Sequence, residues 1–143
     1  MYQILLVPLA AGFIAQTIKF FIASNHQKFS LKNLAAYSGM PSGHTAIVIS
    51  LAVSTGLNLG WHDPVFAITV VLAIVVIRDA LGIRRYLGEH GRTLNKLVND
   101  LSDDNVLEDR YPHLLERIGH TPTQVLVGGL IGTSLSLLVY YIL

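Results

Sequence analysis

Residues 65–77 read VFAITVVLAIVVI, thirteen positions without a charge, preceded by Pro64. A helix that is apolar on every side is either a core helix or a membrane span. This run continues into RDALGIRRY, which makes it long enough to span. Three more stretches are of similar character: Tyr2 to Ala23, Ser42 to Leu59, and the closing TPTQVLVGGLIGTSLSLLVYYIL. Crossing a bilayer takes about 20 mainly apolar residues. Unpaired backbone groups are too costly in lipid for anything but helices or closed barrels. The expected fold is therefore all-α, an integral membrane bundle of about four transmembrane helices. A long, charged and partly helical connection, 87–119, separates the third span from the fourth. At 143 residues the chain is read as one domain, 1–143.

Composition agrees. Apolar residues make up 52% of the chain and charged ones 13%, which is a membrane balance. No cysteine is present, so disulfides and thiolate metal sites are excluded. There is no basic stripe with interleaved aromatics, so no nucleic-acid partner is expected. The first apolar run has no basic residues ahead of it and reads as a retained span rather than a cleaved signal.

With four spans, the N-terminus, the Gly60-Trp61-His62-Asp63 turn and the C-terminus share one side, and the 24–41 and 87–119 connections share the other. Lys28, Lys32, Arg92, Lys96, Arg110 and Arg117 sit in those connections, while Lys19, Arg78, Arg84 and Arg85 sit at span ends facing the same way. Every Lys and Arg thus falls on one side. The positive-inside rule makes that side cytoplasmic, with the cell inner membrane as the expected location. Within the connections, LKNLAAY is an apolar patch suited to the interface. Leu94, Leu97, Val98 and Leu101 recur at helix spacing, and Ser102-Asp103-Asp104-Asn105 breaks that pattern.

Two spans begin on the basic side with a histidine. The second opens Pro41-Ser42-Gly43-His44 and the fourth His120-Thr121-Pro122. Proline suits the first turn of a helix, and Ser42 or Thr121 can cap. Helix N-termini present free N–H groups and a positive dipole end, which together bind anions. Bundling would gather both starts with Lys19, Arg78, Arg84 and Arg85 around one phosphate-sized anion. Phosphoryl transfer needs fixed donors for the equatorial oxygens, an in-line nucleophile and a proton for the leaving oxygen. Imidazole can be nucleophile or acid. No cofactor and no metal is required.

GMPSGHTA resembles the second signature of the type-2 phosphatidic acid phosphatase superfamily, which includes the vanadium haloperoxidases. GHTPTQVLVGGLIG resembles the end of its third signature, and Lys19 stands where the first signature has its lysine. RDALGIRRYLGEHGRTLN is similar to the divergent small branch of that superfamily. The resemblance covers about Lys19 to Gly132. It implies His120 as nucleophile, by way of a phosphohistidine, and His44 as acid to the leaving group. Ser42, the Gly43 amide and Lys19 would hold phosphate oxygens. Gln124 occupies the position of the acid that orients the nucleophile. The third-signature arginine falls at Leu114, and the Arg-Pro pair after the lysine is missing, so Arg78, Arg84 or Arg85 must substitute.

Each signal has a plainer reading. Lys19 can snorkel to the headgroups. Asp79 can pair structurally with Arg84 or Lys19, or orient a site group. Arg84 and His90 reproduce the arginine–histidine spacing of the third signature, but Leu94 takes the acidic position and no glycine-spaced span follows, so His120 is preferred. His26, His62 and His113 are ordinary surface residues, and a metal site of His90, His113 and His120 fits no standard spacing. Gly128 and Gly132 form a small-xxx-small face for close packing, either within the bundle or in a homo-oligomer. Asp100, Asp103, Asp104, Glu108 and Asp109 read as a solvated face. The expected function is hydrolysis of an amphiphilic phosphomonoester or diphosphate at the cytoplasmic membrane face. The alternative is a non-catalytic lipid-phosphate or anion-binding membrane protein that keeps the pocket; a haloperoxidase would need vanadate there.

Overall fold

The computed structural model of the protein describes residues 2–22, 39–101, 113–116 and 118–142. Five helices account for most of them: α1 (Tyr2–Ile18), continued by a 3-10 turn Lys19–Phe21, α2 (Gly43–Leu59), α3 (Pro64–Leu81), α4 (Ile83–Leu101) and α5 (Pro122–Ile142). The LKNLAAY patch, Ser102 to Asn105, and the basic residues Lys28, Lys32, Arg110 and Arg117 lie outside the described residues.

The distribution of side chains is that of a membrane bundle. Large apolar residues point outward: Leu5, Leu9 and Phe13 on α1, Ile68, Val71 and Val75 on α3, and Leu126, Leu130 and Leu138 on α5 are all exposed. The interior holds Ala11, Ala15 and Ala46 together with the buried hydroxyls of Thr45, Ser50, Ser54, Thr55 and Ser136. In lipid, large side chains gain nothing by hiding, and small residues that let backbones approach are what hold helices together. The segments Tyr2–Phe21, Pro64–Asp100 and Pro122–Ile142 are each long and apolar enough to cross a membrane, and α2 is a shorter apolar helix of 17 residues. At 1.5 Å per residue α2 reaches about 26 Å, against roughly 30 Å of hydrocarbon.

α2 is the central helix, packed on α1, α3 and α5. Its contact with α5 follows a four-residue register on both sides. Ser42 donates its amide to the Gln124 carbonyl at 3.0 Å. A Cβ on Gly128 would strike the Ser42 carbonyl, and one on Gly132 the Ala46 carbonyl. Ser50 and Ser136 hydroxyls are 2.9 Å apart, and Ser54 donates to Ser136 at 3.1 Å. Positions 42, 46, 50 and 54 thus run alongside 124, 128, 132 and 136, which makes the two helices parallel. α1 runs against α2 in the opposite sense, with Gly12 against Ile47 and Gln16 against Gly43. The end of α1, the starts of α2 and α5, and the end of α3 therefore meet at one end of the bundle.

Two expectations change. The Gly128/Gly132 face is filled by α2 of the same chain, so it is not available for self-association: without a Cβ on either residue the α5 backbone sits against the Ser42 and Ala46 carbonyls. The third span also stops earlier than its hydropathy suggests. α3 ends at Leu81, Gly82 closes it by donating its amide to the Arg78 carbonyl, and Ile83 starts a separate helix that runs to Leu101. The turn at the other end of the bundle is as tight as expected. Asp63 caps α3 through Val65, and the Trp61 ring fills the space above Gly56.

If the α2–α5 register organises the bundle, Gly132→Val should destabilise it by about 1–3 kcal/mol through forced separation of the helices. Ser136→Ala should cost less, about 0.5–2 kcal/mol. Reversible unfolding in mixed micelles, followed by circular dichroism, measures both.

Candidate active site

Histidines 44 and 120 meet where α2 and α5 begin, with ring centroids 6.4 Å apart and planes inclined at 58°. His120 is 4% exposed, whereas His44 opens outward at the rim. Each is placed by its helix start. Ser42 caps α2: its Oγ accepts from the Thr45 amide at 3.4 Å and from the Thr45 hydroxyl at 2.9 Å. That leaves the Ser42 hydroxyl hydrogen for another acceptor. Gly43 follows as the first residue of α2, where the amide has no partner within the helix. The chain reaches this start through Gly39 at φ 109° and a cis Met40–Pro41 bond.

At α5, Thr121 and Gln124 form a reciprocal capping box. The Gln124 amide donates to Thr121 Oγ1 at 3.4 Å, and the Thr121 amide donates to Gln124 Oε1 at 3.1 Å. The same Oε1 lies 3.1 Å from His120 Nδ1. Because the box turns the oxygen rather than the amide nitrogen of Gln124 toward the ring, Nδ1 must be the donor. The lone pair of neutral His120 is then on Nε2. Burial lowers the His120 pKa below 6.5, with Lys19 and His44 acting in the same sense and the bonds to Gln124 and the Gly39 backbone opposing. The imidazole is therefore neutral at pH 7.

The cations are sorted unequally. Lys19, 3% exposed, sits in the 3-10 turn that ends α1 and acts electrostatically on both imidazoles. Arg84 is half-buried, forms an ion pair with Asp79, and acts with it on His44. The structure therefore brings Arg84 and Asp79 to His44. Arg85 and Arg78 are not brought in. Arg85 is exposed, with its Nε 3.3 Å from Glu89 one turn along α4, and Arg78 is exposed on α3. His90 is exposed on α4, and His113 leans on Asn95 and Glu116. The three histidines considered for a metal thus face different partners.

The sequence reading missed the cradle beneath His120. Residues 114–116 and 118 lie along one face of α4 made by Gly88, Gly91 and Asn95. A Cβ on Gly88 would stand 2.6 Å from the Glu116 carbonyl oxygen, and one on Gly91 2.8 Å from that of Leu115. Buried Asn95 pairs with the backbone of Leu114 in both directions, donating to its carbonyl and accepting from its amide at 2.9 Å each. It also donates to Glu116 Oε1 at 2.9 Å, which with His113 and Arg92 holds that carboxylate below its usual range. Gly119, at φ 90°, packs against the Arg85 backbone, and the His120 amide donates to the Ala80 carbonyl at 3.0 Å. The available signal was the spacing of Gly88, Gly91 and Asn95, which puts all three on one helix face.

Comparison with known proteins follows the same line. The Divergent PAP2 family matches residues 1–135. The chain is 35% identical over 149 residues to the uncharacterized membrane protein YuiD of Bacillus subtilis (strain 168), covering 96% of this chain and 93% of that protein. No solved structure matches.

Two measurements check the site as described. In a histidine-labelled sample, the His120 ring should titrate below 6.5, gaining its proton only as the pH falls well under neutrality. Gln124→Glu should move that midpoint upward by about one unit or more, because a full negative charge then faces Nδ1. Asn95→Ala should cost the 113–120 segment about 1–3 kcal/mol by removing the bonds of Asn95 to Leu114 and Glu116. Hydrogen exchange should accelerate there and stay unchanged in α2 and α5.

Proposed function

This chain belongs to the Divergent PAP2 family, and we propose that it is a phosphatase acting on a lipid phosphate or diphosphate through a phosphohistidine. One observation carries the reading: the His44 and His120 rings stand 6.4 Å apart between two parallel helix starts, with Lys19 and Arg84 beside them. A phosphorus roughly 3–3.5 Å from one imidazole nitrogen and a leaving oxygen within about 2.6–3.2 Å of the other fit between rings at that separation.

In this reading Nε2 of neutral His120 attacks phosphorus. The P–N bond forms as the bond to the leaving oxygen breaks, and protonated His44 gives that oxygen its proton. Water then attacks the phosphohistidine, and His44, now neutral, takes the water proton. The P–N bond breaks, releasing inorganic phosphate and regenerating both histidines. Lys19, Arg84, the Ser42 hydroxyl and the Gly43 amide meet the charge on the equatorial oxygens, so the electrostatic demand falls on cations and amides held by the fold. Arg84 takes the part of the missing third-signature arginine, and Asp79 orients it. Gln124 orients His120.

Position supports the substrate class. The site opens at the end of the bundle where α2, the shortest span, begins, and a lipid headgroup can reach it with its tail still in the leaflet. Lys19, Arg78, Arg84, Arg85, Arg92 and Lys96 belong to that same end, which supports a cytoplasmic orientation in a cell inner membrane.

The test is phosphate release from phosphatidate-like, phosphatidylglycerophosphate-like and polyprenyl-diphosphate substrates, by protein in detergent with chelator present. Wild type should release phosphate, His120→Asn should abolish release, and His44→Ala should slow it about 10²-fold or more. Tight binding with no release from any substrate would instead assign the pocket to a non-catalytic lipid-phosphate binder. Release that survives in His120→Asn but is lost in His90→Asn would transfer the nucleophile to His90.

A further inference from the structure

We propose that α4 is an interfacial helix, its apolar stripe of Ile83, Tyr86, Leu87, Leu94 and Leu97 seated in the lipid leaflet on the side where the two histidines open. All five side chains are exposed, from 49% for Leu94 and Leu97 to 66% for Ile83. At roughly 100° per residue they fall within an arc of about 100°, which exposed His90 shares, and Arg85, Arg92 and Lys96 fall about opposite. An apolar stripe backed by Arg and Lys is the composition of a helix that lies in the plane of the headgroups. α4 is not a fifth crossing. Arg84, Arg85, Glu89, Arg92, Lys96 and Asp100 are distributed along its length, and that many charges do not pass through hydrocarbon.

The occupant is identified by continuity. α3 presents Ile68, Val71, Leu72 and Val75 outward, and in a membrane bundle that surface is lipid-facing. Only Gly82 separates α3 from α4, so the apolar surface of α4 starts one residue beyond the end of a lipid-facing helix. The remaining side of α4 is already taken: Gly88, Gly91 and Asn95 hold residues 113–116. The helix thus has one face for lipid, one for water and one for the segment that leads into His120. Its depth in the leaflet therefore sets the depth of that segment.

The absence of cysteine makes single-site spin labelling direct. Cysteines placed one at a time at Leu87, Leu94, Arg92 and Lys96 carry a nitroxide in proteoliposomes of mixed zwitterionic and anionic phospholipid. Power saturation then compares relaxation by oxygen and by a water-soluble nickel chelate. Labels at 87 and 94 should be accessible to oxygen and protected from nickel at shallow depth, and labels at 92 and 96 should be accessible to nickel. Equal nickel access at all four positions would place α4 in water and overturn the proposal. So would bilayer-centre depth at all four, which means a crossing, or dipolar broadening at 87 and 94 with neither relaxant reaching them, which means a second copy of the chain covers the stripe. Two stripe positions guard against one label perturbing the helix. The readout is lipid depth alone, so it succeeds or fails independently of the phosphatase reading.

Discussion

The close parallel contact between α2 and α5 is the constraint on which the site depends. Two helices that run the same way put their N-termini at the same end, and their backbones approach only where neither carries a large side chain. Ser42, Ala46, Ser50 and Ser54 on one side and Gly128, Gly132 and Ser136 on the other meet that requirement along the whole contact. The Ser42 amide bonded to the Gln124 carbonyl sets the register at the functional end. With that register set, His44 follows Ser42 by two residues, His120 precedes Gln124 by four, and the ring centroids come within 6.4 Å of each other. A shift of one turn, about 5.4 Å, would carry one imidazole past the other and separate the cations from both. The lipid-facing leucines and valines hold the bundle in the bilayer, but they do not set this alignment.

The second level of control is electrostatic. Lys19 and His44 beside buried His120 disfavour further positive charge there, which suits the lone pair the proposed mechanism asks of that imidazole. A carboxylate next to His120 would counter that field. Gln124 supplies the hydrogen-bond acceptor without the charge, and the capping box fixes which end of its amide points at the ring. An amide at the position where the superfamily resemblance implies an acid therefore preserves tautomer and orientation while leaving the imidazole easier to keep neutral. Asp79, the acid that is close by, is engaged by Arg84, so its charge is largely spent on positioning a guanidinium.

Much of this was legible in the sequence, for identifiable reasons. Membrane helices leave a strong hydropathy record, so all four spans were found, and Lys19 and Arg84, the described cations nearest the histidines, belong to the one-sided Lys and Arg set. PSGH and HTPTQ put a cap, a histidine and a free helix start within a few residues of each other, so both histidines and the Gln124 contact could be read locally. Selecting Arg84 over Arg78 and Arg85 could not, because the choice depends on where α3 stops. Arg78 and Asp79 end the apolar run, but Ala80, Leu81 and Ile83 give no sign of a helix boundary between them, and only the tertiary arrangement shows Gly82 ending one helix and Ile83 starting another. The role of Gly128 and Gly132 was ambiguous for a related reason: a small-residue face serves an internal neighbour and an external one equally well, and the α2 ladder that selects the internal one lies some eighty residues earlier.

The cradle on α4 escaped notice because its residues look unremarkable when taken singly. Two glycines and an asparagine in an amphipathic helix suggest weakness, since each lowers helix propensity. Together they form a trough with a backbone-like amide at its end, and the segment entering His120 fits into it. That arrangement explains why a helix outside the main bundle belongs to the site. α4 holds the segment leading into His120 through Asn95, which bonds Leu114 and Glu116, joins the α3 end through Arg84 and Asp79, and in the proposed interfacial placement turns its apolar face toward the leaflet. On the proposed reading the nucleophile is held between two references, the α2–α5 register within the bundle and the plane of the headgroups outside it, and a lipid phosphate is the kind of ligand whose own position is set by the second of these.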